Sequence, residues 1–378
     1  MSNGPRERPP VVAIVGSAGA YGRWLARFLR ERMGLVVIGH DPAEDATLAP
    51  RTLLERADVV VFSTPIGQTP SIIEAFIAVA DGIEAGQLWL DLTSTKQAPV
   101  EAMLRSRAEV AGLHPMTAPP KIATLEGHTM AVCRARVDRW QPWLDALLSA
   151  LQADCVEIDP QAHDRAMALV QGLVHAAHMA QAKVLRELAD AAGGLRGLHA
   201  LRTTGHQLDL VVTGRILSGN PAIYTGIQFD NPHVPGVLAR LAEAISELRD
   251  AVADGGDEAR ARVGEHFLRA PAAWFGADAL AARSHDFERM GYLQADLQDP
   301  RAISVYLPED RPGSLRALLG VFERLGVNLA SIHSSRTADG ELHFRIGLDP
   351  LPVPLAALCA TIEDAGIGRV LDARDDEG

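Results

Sequence analysis

Short apolar runs separated by stretches of helical spacing fill the first 158 residues. Val11–Val15, 35–38, Val59–Phe62, 88–90, 110–113, 129–132 and 154–158 read as seven strands, and 24–32 as the helix after the first of them. Strands alternating with helical patterns are the signature of βαβ units and a mostly parallel sheet. The texture changes at Asp159-Pro160. A long Ala-rich helix is expected over 161–188, followed by helices over 198–217, 235–252 and 258–276, with no strand between them. By fold-level analogy, an all-helical stretch in this place is a substrate and dimerisation domain. A polar hinge is expected over 293–300. Beyond it comes a β-α-β-β-α-β pattern with strands over 302–307, 328–334, 342–348 and 369–373, and helices over 313–325 and 354–365. That order is ferredoxin-like.

Composition narrows the class. The 378 residues are enough for two or three cores, and a formal charge of −12 disfavours nucleic acid or an anionic membrane as partner. Three cysteines without CxxC spacing fit a reducing compartment. Residues 1–10 are polar and Pro-rich rather than leader-like, and no apolar run approaches a membrane span. The expectation is a cytoplasmic protein.

Candidate chemistry begins in the loop Gly16-Ser17-Ala18-Gly19-Ala20-Tyr21-Gly22, between the first strand and its helix. A glycine-rich turn there offers backbone N–H groups and a helix dipole to a pyrophosphate. The fingerprint is imperfect: Ser17 replaces its first glycine, or the spacing from Gly16 is one residue long. Asp41 follows Gly22 by 19 residues at the end of the second strand, where a carboxylate binds the ribose hydroxyls and repels a 2′-phosphate. The fold class is therefore α/β: an N-terminal Rossmann dinucleotide-binding domain over 1–159 that takes NAD, an all-α domain over 160–292, and an α+β domain over 300–378.

Four polar features stand near that framework. His114, in Leu113-His114-Pro115-Met116, is expected just beyond the fifth strand, because Pro115 biases it to extended backbone and ends the run. Its imidazole, titrating near neutrality, is a candidate base, and a loop histidine bound to backbone is the alternative. Ser94, in Asp91-Leu92-Thr93-Ser94-Thr95-Lys96, has the spacing to Gln97 of a capping box. Pro99 argues instead for a helix that starts near Ala98 and leaves Ser94 in a loop. His163, Met167, Gln171, His175 and His178 form a stripe along one face of the long helix. No carboxylate shares the helix face near His175 and His178, so no metal is expected there. Arg215, within Leu208-Asp209-Leu210-Val211-Val212-Thr213-Gly214-Arg215, must snorkel, join an ion pair or meet an anion.

The glycine loop, Asp91 to Lys96, Leu113 to Met116, His163-Asp164, Gln171 to His175 and Thr213-Gly214-Arg215, in this order, resemble the prephenate dehydrogenase family from Val11 to Gly276. The resemblance implies that His114 is the catalytic histidine and Ser94 the serine bonded at the same end of the substrate. It implies further that His175 is a second active-site histidine and Arg215 grips a substrate carboxylate, with Gln171 lining the pocket. The reaction implied is NAD-dependent oxidative decarboxylation of prephenate to 4-hydroxyphenylpyruvate, in a homodimer. Arogenate or 4-amino-4-deoxyprephenate are alternative substrates on the same scaffold, and a catalytically idle amino-acid sensor is the alternative outside enzymes. Thr117-Ala118-Pro119-Pro120 and Gln207 depart from the family pattern at the substrate side. From Asp310-Arg311-Pro312-Gly313-Ser314-Leu315 to Asn328, and more loosely in Ile332-His333-Ser334-Ser335-Arg336-Thr337, the chain resembles an ACT domain. That implies an aromatic amino-acid effector, tyrosine being the expected one.

Overall fold

The computed structural model describes residues 8–44, 47–120, 123–298, 301–307, 311–336 and 341–371. It divides into two compact units, Met1–Asp250 and Ala251–Gly378. The expectations that fall on residues 1–7, Pro300, Asp310, Thr337 and 372–373 lie outside the described residues.

In the first unit, strands β1 (Val11–Val15), β2 (Val36–His40), β3 (Val59–Phe62), β4 (Leu88–Asp91), β5 (Glu109–Pro115), β6 (Thr129–Arg136) and β7 (Asp154–Glu157) form one sheet in the order β2-β1-β3-β4-β5-β6-β7. The first five are parallel, β6 runs antiparallel to β5, and β7 runs parallel to β6. The strand order reverses at β1, so the loop after β1 opens at a switch point, where open α/β sheets bind their ligands.

Strands buried on both faces read as unbroken apolar runs, and β1, β3 and β4 up to Asp91 are such runs because each face carries its own core. On one face Val12, Ile14, Val61, Leu90 and Leu113 pack under the helices Ala20–Glu31 and Gln141–Leu151. On the other, Ala13, Val15, Phe62, Trp89 and Val110 pack under Pro50–Arg56, Thr69–Ala80 and Gln97–Leu104.

β5 departs from expectation. It does not stop before His114 but runs through His114 and Pro115, which stand opposite Ala131 and Met130 of β6. The antiparallel partner extends the strand past the proline.

The helical stretch is also more broken than expected. The long helix is Pro160–Met167, a π-turn over Ala168–Leu173 and Val174–Leu188. Asp159 caps its start by accepting from Gln161 N and Ala162 N, at 2.9 and 3.0 Å. The helix expected over 198–217 is two, Gly194–Ala200 and Thr204–Leu217, with Thr203 capping the second. Pro221–Phe229 and Val234–Asp254 complete the unit. Val170, Leu188, Val211, Leu217, Ile223 and Phe229 are exposed on the single chain.

The second unit begins with helical segments from Gly256 to Phe275 and the helix Ala277–Gln298. The expected hinge over 293–300 is therefore helical through Gln298. Its Asp296 carboxylate accepts from Ser331 Oγ at 2.6 Å and bonds His333, while Arg345 donates to the Asp296 carbonyl at 3.0 Å. Strands β8 (Ala302–Leu307), β9 (Leu329–Arg336), β10 (Leu342–Leu348) and β11 (Arg369–Leu371) form an antiparallel sheet in the order β11-β8-β10-β9. Helices Ser314–Leu325 and Leu355–Asp364 cover one face through Leu318, Val321, Phe322, Leu358 and Ile362, giving the ferredoxin-like arrangement. Gly313 enters the first of these helices at φ +98°, a left-handed conformation that favours glycine.

Candidate active site

The loop after β1 is held tight by its glycines. Gly16 sits at φ +88°, donates to His40 O at 2.8 Å, and has no room for a Cβ against the Ser63 carbonyl. A Cβ on Gly22 would collide with the Gly16 carbonyl, so the helix can start directly beneath the turn. Asp41, at the end of β2, accepts from Ala18 N and Ala43 N, both at 3.0 Å, which fixes its carboxylate against this loop. Ser17 Oγ donates to Glu44 at 2.8 Å, placing a second carboxylate beside the first. Tyr21 reaches the other way and donates from its hydroxyl to the Thr117 carbonyl at 2.6 Å, tying the loop to the segment after β5. The six residues expected at a dinucleotide thus gather at the switch point, and the glycine cradle has the form such a group requires.

At the carboxyl ends of β4 and β5 a buried polar cluster surrounds His114. Side chains alternate along β5, so Gly112 and His114 face the helix Gln97–Leu104. Gly112 leaves space that Lys96 fills: a Cβ there would stand 3.0 Å from Lys96 Cδ and 2.9 Å from Val100 Cγ2. Lys96 is wholly buried; its ammonium pairs with the Asp91 carboxylate and donates to the Leu113 carbonyl at 2.8 Å. Asp91 also accepts from Thr93 N and Thr93 Oγ, at 3.0 and 2.6 Å. Burial raises the Asp91 carboxyl above its usual range, against the pull of Lys96 and Thr93.

His114 is 3% exposed. Its Nδ1 lies 2.9 Å from His163 Nε2, and its Nε2 lies 3.4 Å from the Gln171 amide nitrogen. His163 Nδ1 is 2.7 Å from the Asp164 carboxylate, which also accepts from Lys96 N at 2.7 Å and Gln97 N at 3.0 Å. Asn231 closes the group from below by donating to the Asp164 carbonyl at 2.7 Å. Burial pushes the His114 imidazole well below its ordinary range, and the nearby Lys96 ammonium pushes the same way. The expected near-neutral titration is corrected accordingly: this imidazole is neutral over the physiological range.

The other expected residues are distributed around this cluster. Ser94 is half-buried in a loop, with Pro99 in the first turn of the following helix, so the loop reading holds over the capping box. His175 is half-buried, its Nδ1 has no hydrogen-bond partner among the described residues, and its ring meets Tyr224 edge-on at 5.1 Å. Tyr224 in turn donates to the Arg215 carbonyl at 3.2 Å. Arg215 is exposed and forms no ion pair among the described residues. Of the expected catalytic and substrate-binding residues, only His114 and Gln171 are joined directly among the described residues. Around the stripe, Asp164 binds His163, and Asp209, on the helix Thr204–Leu217, stands 3.7 Å from His178.

His163, Asp164, Lys96 and Asn231 complete the cluster without having been singled out for it. Their sequence signal is a run of chemically costly residues within apolar surroundings, but their partners lie far off in the chain.

Comparison with known proteins agrees with this architecture. The prephenate dehydrogenase nucleotide-binding domain model matches residues 25–134, the prephenate dehydrogenase dimerization domain model 159–266, and the ACT domain model 301–349. The chain is 30% identical over 267 residues to the 4-amino-4-deoxyprephenate dehydrogenase of Streptomyces pristinaespiralis, covering 65% of this chain and 86% of that protein. It is 25% identical over 304 residues to the Methanocaldococcus jannaschii protein named "Probable arogenate/prephenate dehydrogenase", covering 76% of this chain and 66%, just under two thirds, of that relative. The fold is similar to a crystal structure of prephenate dehydrogenase from A. aeolicus in complex with hydroxyphenyl propionate and NAD+, with a TM-score of 0.54 at 17% identity, covering 76% of this chain and all of that one. With a buried histidine at the end of β5, a glycine cradle at the switch point and these matches, the chain belongs to the prephenate dehydrogenase family and carries an ACT domain after its helical domain.

Proposed function

We propose that this chain is an NAD-dependent prephenate dehydrogenase, which oxidatively decarboxylates prephenate to 4-hydroxyphenylpyruvate for tyrosine biosynthesis. The observation that carries the reading is His114, a neutral imidazole at the carboxyl end of β5 whose Nε2 is turned toward Gln171 on the long helix. A base so placed accepts the proton of the C4 hydroxyl. Ser94, half-buried on the neighbouring loop, fixes that hydroxyl. Arg215, without an ion-pair partner among the described residues, binds a substrate carboxylate, and His175 and Gln171 line the pocket between them. Release of the ring carboxylate as carbon dioxide leaves an aromatic ring, so the residues need to supply alignment and one base.

The Gly16 to Gly22 loop would hold the pyrophosphate of a nicotinamide dinucleotide, and Asp41 its ribose hydroxyls. When bound, that group supplies the hydride acceptor. Asp41 and Glu44 together favour NAD over NADP, because a 2′-phosphate would meet two carboxylates. The division of labour follows 1–159 for the dinucleotide, 160–292 for substrate and dimerisation, and 300–378 for regulation. The exposed apolar side chains of the helical stretch suit a homodimer, and tyrosine is the proposed effector of the ACT domain. No described helix is long and apolar enough to cross a membrane, and a cytoplasmic location fits the three free cysteines.

Dehydrogenation of the 4-amino analogue is the second reading, favoured by the Streptomyces relative. Formation of NADH from prephenate, arogenate and 4-amino-4-deoxyprephenate, measured side by side, tests the proposal. Prephenate should give the highest kcat/KM, and His114→Asn should lower kcat by about 10²–10⁴-fold. A higher kcat/KM for either analogue would overturn the substrate assignment.

A further inference from the structure

Two ionisable side chains sealed against His114 have no part in the chemistry above. His163 and Asp164 are 0% and 1% exposed. We propose that His163 and Asp164 form a proton relay with His114, in which the substrate's hydroxyl proton enters at His114 Nε2 while the proton on His114 Nδ1 moves to His163 Nε2. This rests on the dehydrogenase reading of the site, and it makes His163 and Asp164 positioning residues that act through His114.

The direction of the relay follows from Asp164. Its carboxylate takes two backbone N–H groups, those of Lys96 and Gln97, and the third contact is His163 Nδ1 at 2.7 Å. A carboxylate held by donors is ionised and accepts only, so His163 Nδ1 carries a proton. In the resting state that the relay requires, that is the ring's one proton and His163 presents a lone pair at Nε2. Across 2.9 Å that lone pair must be met by a proton on His114 Nδ1. His114 therefore has its lone pair at Nε2, the atom facing Gln171. One carboxylate sets the tautomer of two imidazoles in series.

The same chain explains how a poor resting place for charge can serve as a base. The charged and titratable groups packed on His114 are Lys96, paired with Asp91, and His163 with Asp164; Gln171 is neutral. A cation left on His114 would sit in a dry site next to the Lys96 ammonium. In the relay the substrate O–H bond breaks and an N–H bond forms at His114 Nε2, as the Nδ1–H bond breaks and an N–H bond forms at His163 Nε2. His114 ends neutral, with its tautomer reversed. The positive charge ends on His163, whose other nitrogen is bonded to Asp164. As the ring becomes aromatic the product oxygen takes its proton back from His114 Nε2 and the His163 Nε2 proton returns to His114 Nδ1, so the cycle transfers protons only, resets both tautomers and calls for no oxidant of its own.

The test has an arm that needs no substrate. In the full chain labelled with 15N-histidine, long-range 1H–15N spectra at pH 7.5 should show one imidazole pair joined by a coupling across an N–H···N bond. Both rings of that pair should be neutral and protonated at Nδ1. A resting His114 protonated at Nε2 would overturn the proposal. The kinetic arm uses His163→Gln, whose amide oxygen can accept from His114 Nδ1 but cannot take up the proton. Its kcat should fall about 10²-fold, the low end for a positioned proton-transfer group, while NADH binding read by fluorescence stays unchanged. The dependence of kcat on the deuterium fraction of the solvent should be curved in the wild type, for two protons in flight, and linear in the variant. A wild-type rate for His163→Gln, or a linear dependence in the wild type with chemistry limiting, would refute the relay. If the wild type turns over none of the three cyclohexadienyl substrates, the dehydrogenase reading fails, and the tautomer spectrum still decides whether the pair is arranged as described.

Discussion

Replacing Lys96 by methionine should unfold the nucleotide-binding half more easily than any other single change at the site. The side chain has no solvent contact, and its ammonium compensates a carboxylate that is equally buried. Methionine keeps the length and fills the space beside Gly112, so the loss is electrostatic. Asp91 would retain Thr93 N and Thr93 Oγ on one oxygen, while its other oxygen already has no partner among the described residues. Removing one partner of a buried pair costs about 3–5 kcal/mol, and with a urea m-value of about 2.5 kcal/mol/M the midpoint should fall by about 1–2 M. Tryptophan fluorescence suits the assay, because Trp24, Trp89, Trp140 and Trp143 lie in this half and only Trp274 in the other unit. The sign with pH is also fixed. Burial already raises the folded-state pKa of Asp91, and loss of the cation raises it further. The deficit is then present above that pKa and shrinks as pH falls through it and the carboxyl is neutralised. The double variant Asp91→Asn/Lys96→Met, with no charge to bury and an oxygen still facing Thr93, should regain at least half the loss. A Lys96→Met midpoint equal to wild type, or a double variant less stable than the single one, would refute the reasoning.

Other expectations are independent of that pair. Arg215→Gln should raise the KM for prephenate with little change in the circular dichroism of the fold, by an amount worth about 2–5 kcal/mol if the carboxylate contact is desolvated; an unchanged KM would remove Arg215 from the substrate. Asp41→Ser should narrow the preference for NAD over NADP in kcat/KM, and Glu44→Gln should narrow it further; no change in either ratio would place the ribose elsewhere. Because burial and neighbouring positive charge hold His114 neutral below the usual imidazole range, kcat/KM should stay flat as pH falls through about 6.5 and drop only at lower pH. A half-maximal point at or above 6.5 would contradict that environment. Tyrosine should shift prephenate saturation by roughly 5- to 150-fold, the usual span of coupling between sites. Gly313→Val, at φ +98°, should weaken that shift while basal turnover persists, and an unaltered tyrosine response would separate the effector from this turn.

The sheet was legible because β1, β3 and the first three residues of β4 are apolar without a break, as a strand covered on both faces requires. The loop at Gly16 was legible for a related reason: glycines at fixed offsets between strand and helix have a steric cause. The far end of β5 was not. A proline reads as a stop until the antiparallel β6 is known to lie beside it. The helix Ala277–Gln298 was missed because its polar and apolar residues show little segregation by face, and its end is fixed by Asp296 against β9 and β10 rather than by a local signal. His114 and Gln171, which lie within reach of each other, could be singled out from position and pattern. The partners of His114 could not, since His163 lies 49 residues away and Asp164 reaches back 68 residues to Lys96. Periodicity says which residues share a face of one helix, not which strand end that face will meet.

The Asp164 carboxylate also bears on how such chains can be recombined. It belongs to the helical domain, yet two of its donors are the opening amides of the helix Gln97–Leu104 in the dinucleotide domain. A chimera joined at 159/160 would therefore take the acceptor from one parent and its donors from the other. Where the parents differ in the length of the loop from Asp91 to Lys96, the amides would arrive out of reach and His114 would lose its oriented neighbour. Exchange of halves between members of this family should succeed when the loop and the His163-Asp164 turn travel together, and produce folded but slow proteins when they do not. The heritable unit of the active site is thus a pair of segments from either side of the boundary, and neither domain can drift alone.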